Sequence, residues 1–300
     1  MRNDISEIVG LLHKRRLTEH VVLYTNGFNT QNILSAVEKM LINAPRINFF
    51  IGVSIDGFEE AHDQYRNMLG SYTNAQNTLV LLKNLKGSFA NLHVGVSITL
   101  HKGNQNIALG LIEDIHQRLG LIPGLTLIRG EPRSPQLKAA GIGIYEECIR
   151  LINRLKKNSA YSGLLYGLID ARESLGQRLA FKTYAIGKRS YACYAGSLLA
   201  VLYANGDVFP CEMLGDGASF GNLRDFDYDF KKIWDSDRAK AVRGQIKKRQ
   251  CFCTYECQYT CNVLYNIRFA PYLAYACIKG CLEKKLNRKR RDDKPVVLEN

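Results

Sequence analysis

Eight of the nine cysteines in this 300-residue chain lie between Cys193 and Cys281. Cys251, Cys253, Cys257 and Cys261 occupy eleven residues, and Cys277 and Cys281 follow with a three-residue gap. A thiolate is a soft donor suited to zinc or to an iron–sulfur cluster. Close spacing lets one short segment supply several ligands, while Cys193 and Cys211 come from further upstream. Structural zinc favours paired cysteines two residues apart. The gaps here are one, three and three, then three again. That weakens a zinc ribbon and favours iron–sulfur. The ninth cysteine, Cys148, falls on the apolar stripe Ile144, Cys148, Leu151, Ile152, Leu155 and reads as a core thiol.

These cysteines need a support. Asn205-Gly206 stands between two β-rich runs, the strongest short hairpin signal. It predicts a hairpin with Cys193 ahead of it and Cys211 behind it. The run Leu198 to Ala204 is the longest apolar stretch and suits a buried strand.

A second set of polar residues sits earlier, always after a predicted strand. Strands are expected at Val21–Tyr24, Ile47–Ile55, Val94–Thr99 and Leu125–Ile128, alternating with helices. Asp4 and Glu7 predict a capping box for the first helix. Ile33 to Leu41, Ala75 to Leu85 (closed by Gly87) and Ile107 to Leu119 (closed by Gly120) give the others. Alternation of this kind means right-handed crossovers and a parallel sheet. Thr25-Asn26-Gly27, Ser54-Ile55-Asp56-Gly57 and Arg129-Gly130-Glu131-Pro132 then fall at the carboxyl ends of strands, where ligand loops sit in such folds. Asp56-Gly57 is also an ordinary turn, and Arg66 can equally be a surface ion-pair partner.

Bulk composition narrows the class. Apolar residues make up 46% and charged residues 23%, which excludes disorder by composition. No apolar run approaches the ~20 residues of a membrane span. No secretory signal opens the chain, so a cytoplasmic location and reduced thiols are expected. The net charge is +13, with basic peaks at Arg243–Arg249 and Lys284–Arg291. The second peak carries no interleaved aromatics, so it reads as a solvated basic tail and nucleic acid is not an expected partner.

Strand motifs and cysteine region together resemble the radical S-adenosylmethionine enzymes that carry a C-terminal SPASM or twitch extension. The matching residues are Thr25-Asn26-Gly27, Gly52-Val53-Ser54-Ile55-Asp56-Gly57, His62-Asp63 and Arg66, then Cys193, Gly206, Cys211 and the Cys251–Cys261 group. The family's later gaps are two, five and three, and only the gap from Cys257 to Cys261 agrees, as in a shorter twitch-like variant. The resemblance implies an α/β fold, an incomplete parallel (β/α) partial TIM-type barrel over residues 1–185. A small cysteine-rich α+β domain with a β-hairpin follows over 186–285, then a basic tail over 286–300. It implies one or two auxiliary 4Fe-4S clusters on Cys193, Cys211, Cys251, Cys253, Cys257, Cys261, Cys277 and Cys281. It also implies S-adenosylmethionine near Thr25, Asn26, Gly27, Ser54, Asp56 and Arg66, with Arg66 pairing the cofactor carboxylate. A peptide or small-molecule substrate and an electron donor such as a flavodoxin or ferredoxin complete the expected partners.

The family's Cys-x-x-x-Cys-x-x-Cys and Gly-Gly-Glu-Pro motifs do not occur in these residues. Arg2-Asn3-Asp4-Ile5 looks like the segment that follows the second motif. The expectation is a barrel lacking its first two strands, with no catalytic residue of its own and no competence for radical formation. Val21–Tyr24 would then be an exposed sheet edge, making the chain poorly soluble or oligomeric. The alternative is a non-enzymatic iron–sulfur or zinc-binding partner protein.

Overall fold

The computed structural model describes residues 4–130, 132, 134–138, 140–157, 164–189, 191–248, 253–254 and 256–292. Two compact units emerge, residues 1–158 and 159–300.

The first unit runs α1 (Ile5–Lys14), β1 (His20–Thr25), α2 (Thr30–Asn43), β2 (Asn48–Ser54), α3 (Glu59–Arg66), α4 (Ser71–Lys86), β3 (Leu92–Leu100), α5 (Ala108–Leu119), β4 (Gly124–Leu127) and α6 (Ile142–Lys157). The four strands pair in sequence order and all are parallel. This is the expected partial barrel-like sheet. Alternation along each strand separates two faces. Phe49, Ile51, Val53, Val94, Val96 and Ile98 are buried on the helix side, where α4 packs on β2 and β3. Each such side chain contributes roughly 1.5–3 kcal/mol by leaving water.

The other face carries a rung of Tyr24, Gly52 and Gly95 in register. A Cβ on Gly52 would stand 2.5 Å from the Tyr24 ring, and one on Gly95 2.5 Å from the Phe50 ring. The two glycines let these rings lie over the sheet. β1 is the edge strand, and Val22 and Tyr24 are 56% and 63% exposed. The expected open edge is present.

Two local expectations need correction. Asp4 is the N-cap of α1, but its side chain makes no capping bond. Gly87 ends α4 in ordinary helical conformation (φ −59°), so its freedom as a glycine is not used there. Gly120 does use it, ending α5 at φ +64°. The helix α3 was not legible, because Glu59-Glu60-Ala61-His62-Asp63-Gln64-Tyr65-Arg66 has no apolar stripe.

The second unit begins with α7 (Leu164–Ile186), then β5 (Val201–Leu202), β6 (Asp207–Phe209), β7 (Gly221–Asn222), α8 (Phe230–Trp234), α9 (Asp237–Lys248), α10 (Glu256–Leu264) and α11 (Ala270–Asp292). Helix α7 packs against α10 and α11. Gly167 permits that approach, since a Cβ there would lie 2.8 Å from the Ala276 carbonyl.

β5 and β6 form the predicted hairpin, with Gly206 at φ +94° in its turn. The run Leu198–Ala204 is not a buried strand. Only Val201–Leu202 pairs, and Leu198 and Leu202 are exposed. Gly196 at φ +71° turns the chain just before the run, and the Ala195–Leu199 bridge folds its start into a tight bend.

A core of Ala195, Val208, Cys211, Phe220, Ile233, Ala239, Val242 and Ile246 underlies this sheet. Arg243 ties its rim together. The guanidinium lies 4.4 Å from the Trp234 ring centroid and 5.3 Å from that of Phe220, and donates to the carbonyls of Gly196 and Trp234. One peak of basic charge is therefore partly structural. Arg243→Lys should cost about 1–2 kcal/mol, because an ammonium cannot stack and fork at once. Trp234 fluorescence in urea titration reads this directly, and an unchanged midpoint would contradict it. The basic run Lys284–Arg291 lies within α11, and residues 293–300 lie outside the described set. Among the described residues no helix is long and apolar enough to cross a membrane.

Candidate functional site

The first unit places its candidate residues along the carboxyl ends of β1 and β2. Thr25 ends β1, and its Oγ1 accepts from the Gly27 N–H at 3.1 Å. Asn26 Oδ1 accepts from the Phe28 N–H at 3.1 Å. Both side chains thus shape the turn they occupy. Gly27 has φ +73°, and a Cβ there would lie 2.6 Å from Ala75 Cα on α4. Its carbonyl accepts from Thr78 Oγ1 at 2.7 Å. Ser54 ends β2 on the open face, in register with Ser97.

Asp56 is the hub. It is 5% exposed, one Oδ accepts from the Thr99 N–H at 2.7 Å, and the other pairs with Arg66 of α3. Arg66 is therefore already held by a carboxylate of this chain, while its Nε is buried without a hydrogen bond.

His62-Asp63 stood in the sequence only as part of the resemblance, and His101 and Asn104 were not singled out. His62 Nδ1 accepts from the Asp56 N–H at 3.0 Å. Asn104 Nδ2 donates to the carbonyls of Asp56 and Thr99, each at 2.9 Å, and its Oδ1 accepts from the His101 N–H. Asp63 accepts from the Gly70 and Tyr72 N–H groups, tying α3 to the start of α4. For His101 and Asn104 the available signal was their place just after the third strand.

Burial above all holds the His62 imidazole below its ordinary range, partly offset by the Asp56 charge; His101 is lowered for the same first reason. The sign follows from linkage. The unfolded chain takes up these protons as pH falls through about 6.5, whereas the folded protein resists until lower pH. Stability contributed by the neutral imidazoles is therefore complete above that pH and declines below it. Thermal midpoints should fall on acidification from pH 7 to 5. His62→Asn, which keeps an acceptor for the Asp56 N–H, should flatten part of that slope. An unaltered slope would contradict the assignment.

In the second unit Cys193 and Cys211 flank the hairpin, Cys253 precedes α10, and others fall on α10 and α11. Cys211 is buried in the core beneath the sheet, and Cys193 packs against that core. Cys253 is also buried. Tyr191 and Tyr259 both donate to its carbonyl, at 3.5 and 3.0 Å, with ring centroids 5.3 Å apart. Burial first, then Tyr259 and the thiols of Cys253 and Cys193, pushes the Tyr191 phenol far above its ordinary range.

Cys261 is partly buried on α10, and burial raises its thiol. Cys277 is partly buried on α11. Cys257 and Cys281 fall within α10 and α11, and Cys251 lies outside the described residues. Among the described residues no three Cys, His, Asp or Glu side chains come close enough to hold a metal ion. The fit to an iron–sulfur centre is one of donor chemistry: the soft thiols that these segments supply. Cys148 is apart from these, buried on α6 with its thiol pushed up to about 11.

Residues 193–262 match the profile of SPASM, an iron–sulfur cluster-binding domain. The chain is 26% identical over 202 residues to the sporulation killing factor maturation protein SkfB of Bacillus subtilis (strain 168). That match covers 66% of this chain and 43% of the relative, so it spans less than half of the relative's length. Among solved structures, native anSMEcpe with bound AdoMet overlaps 96% of this chain and 89% of its own at 14% identity, with a TM-score of 0.47. The form with AdoMet and the Kp18Cys peptide overlaps 91% and 90% at 15% identity, with a TM-score of 0.46. Residues 193–262 therefore resemble a SPASM iron–sulfur cluster-binding domain, and 66% of the chain is similar to a maturation protein.

Proposed function

We propose that this chain binds auxiliary iron–sulfur through its SPASM domain and takes part in the radical modification of a peptide. The observation that carries the reading is the match of residues 193–262 to an iron–sulfur cluster-binding domain. Cys211 in the core beneath the hairpin sheet, with Cys193 packed against that core, supports it. The peptide substrate is favoured over a small molecule because the curated relative is a maturation protein for a sporulation killing factor. Cys193, Cys211, Cys251, Cys253, Cys257, Cys261, Cys277 and Cys281 are the proposed ligands, for one or two 4Fe-4S clusters.

A thiolate-held cluster, when bound, supplies one-electron transfer. The chain's own residues do the rest. Tyr191 and Tyr259 fix the Cys253 backbone, and the hairpin presents Cys193 and Cys211 on a packed core. Thr25, Asn26, Gly27, Ser54, Asp56 and Arg66 are the proposed S-adenosylmethionine side of the molecule, at the strand ends. Arg66 is partly exposed there, with one arm on Asp56 and hydrogen-bonding capacity left for a second carboxylate. An electron donor of the flavodoxin or ferredoxin kind belongs to the same proposal.

A second reading is a cluster-binding partner protein without radical chemistry of its own. It is favoured by one observation: the single cysteine before Cys193 is Cys148, a buried core thiol. Anaerobic purification, iron and sulfide content, and assay of S-adenosylmethionine cleavage separate these. Brown protein with iron and sulfide is expected, without cleavage by these 300 residues alone. Colourless protein holding zinc would overturn the cluster, and cleavage would overturn the second reading.

A further inference from the structure

We propose that the side-chain amide of Asn262 donates a hydrogen bond to sulfur of the metal centre and sets its reduction potential. The inference rests on the iron–sulfur reading above and deepens it.

Asn262 is fully buried on α10, directly after Cys261. Its Oδ1 accepts from the Tyr194 N–H at 2.8 Å. A backbone donor fixes which end of the carboxamide is oxygen, so the opposite end is the NH2. That Nδ2 is buried and has no hydrogen-bond partner. Tyr194 follows Cys193 directly, so the amide joins the segment of one proposed ligand to the helix carrying Cys257 and Cys261.

Buried donors are almost always satisfied, and an orphan calls for a specific explanation. Gln258 lies one turn earlier on α10. Its Oε1 is likewise buried without a partner, yet the two amides do not bond each other. A bound cluster would bring sulfur acceptors to this region, because Cys193 and Cys261 adjoin the two ends of the Tyr194–Asn262 bond. Reduction adds negative charge to the cluster and its sulfurs. An N–H donor stabilises that state and raises the potential. Asn262 is thus a positioning and tuning residue, not a ligand.

The test uses the full chain reconstituted anaerobically, as wild type, Asn262→Asp and Asn262→Leu. Asp keeps an acceptor for Tyr194 and removes the amide donor; Leu removes both. Three quantities are read: iron per chain, midpoint potential, and exchangeable-proton coupling of the reduced cluster by pulsed EPR in H2O and D2O. The expected result is wild-type iron content in Asn262→Asp, a more negative potential in both variants, and loss of one strongly coupled exchangeable proton. Retained coupling at full iron content would overturn the proposal, whether or not the added charge moves the potential. Loss of the cluster from both variants would assign Asn262 to the fold through Tyr194 and also overturn it. A wild-type chain that binds no cluster removes the iron–sulfur reading and this inference together. A loaded wild type with unresponsive variants removes this inference alone.

Discussion

Cys193→Ala and Cys211→Ala should each strip most of the iron from anaerobically reconstituted protein, while Cys148→Ala leaves iron per chain unchanged. Loss of an outer partner of a metal ligand already costs on the order of 10–100-fold in affinity, and loss of a ligand itself costs more. Cys193 and Cys211, two of the proposed ligands, flank a hairpin that packs on its own core. Cys148 is the control: a buried core thiol on α6 of the first unit, outside the proposed ligand set. Cys211→Ala removes a small core side chain, and its cost in packing is separable by the Trp234 fluorescence transition of the iron-free protein. Full iron content in Cys193→Ala would remove that residue from the ligand set.

The second large effect is expected at Asp56. Asp56→Ala takes away the acceptor for the Thr99 N–H and the partner of Arg66 at once. Removing one member of a buried pair costs about 3–5 kcal/mol. Arg66 is 29% exposed and regains some water, which points to the lower end of that range. Asp56→Asn keeps a carbonyl for Thr99 and should cost nearer 1–2 kcal/mol. Hydrogen exchange is the suitable measurement, because it reports the Thr99 amide and the global transition together. Protection at Thr99 should drop in the Ala variant far more than in the Asn variant. Equal protection in both would show that the hub is not held as described.

Much of this architecture was legible before any coordinates. Short apolar runs from Val21, Ile47, Val94 and Leu125, each followed by an amphipathic helix, dictate a parallel sheet because only crossover connections join strands so spaced. Asn205-Gly206 signalled the hairpin, and the positive φ that Gly206 takes in its turn suits few other residues. Local signals failed where local chemistry was silent. Helix α3 has no apolar stripe, being held by Asp63 at the start of α4 and by Arg66 on Asp56. The run Leu198–Ala204 is apolar but bends, because Gly196 turns the chain just ahead of it.

The sequence by itself determined the strand order's raw material, the hairpin and the supply of thiols, since these depend on periodicity, turn chemistry and residue type within a few positions. Only the tertiary structure decided which polar groups meet. Asp56 finds Thr99 43 positions away, and Tyr194 finds Asn262 68 positions away. Such pairs form because packing removes water and leaves each buried donor needing an acceptor, and no local pattern records which acceptor will be at hand.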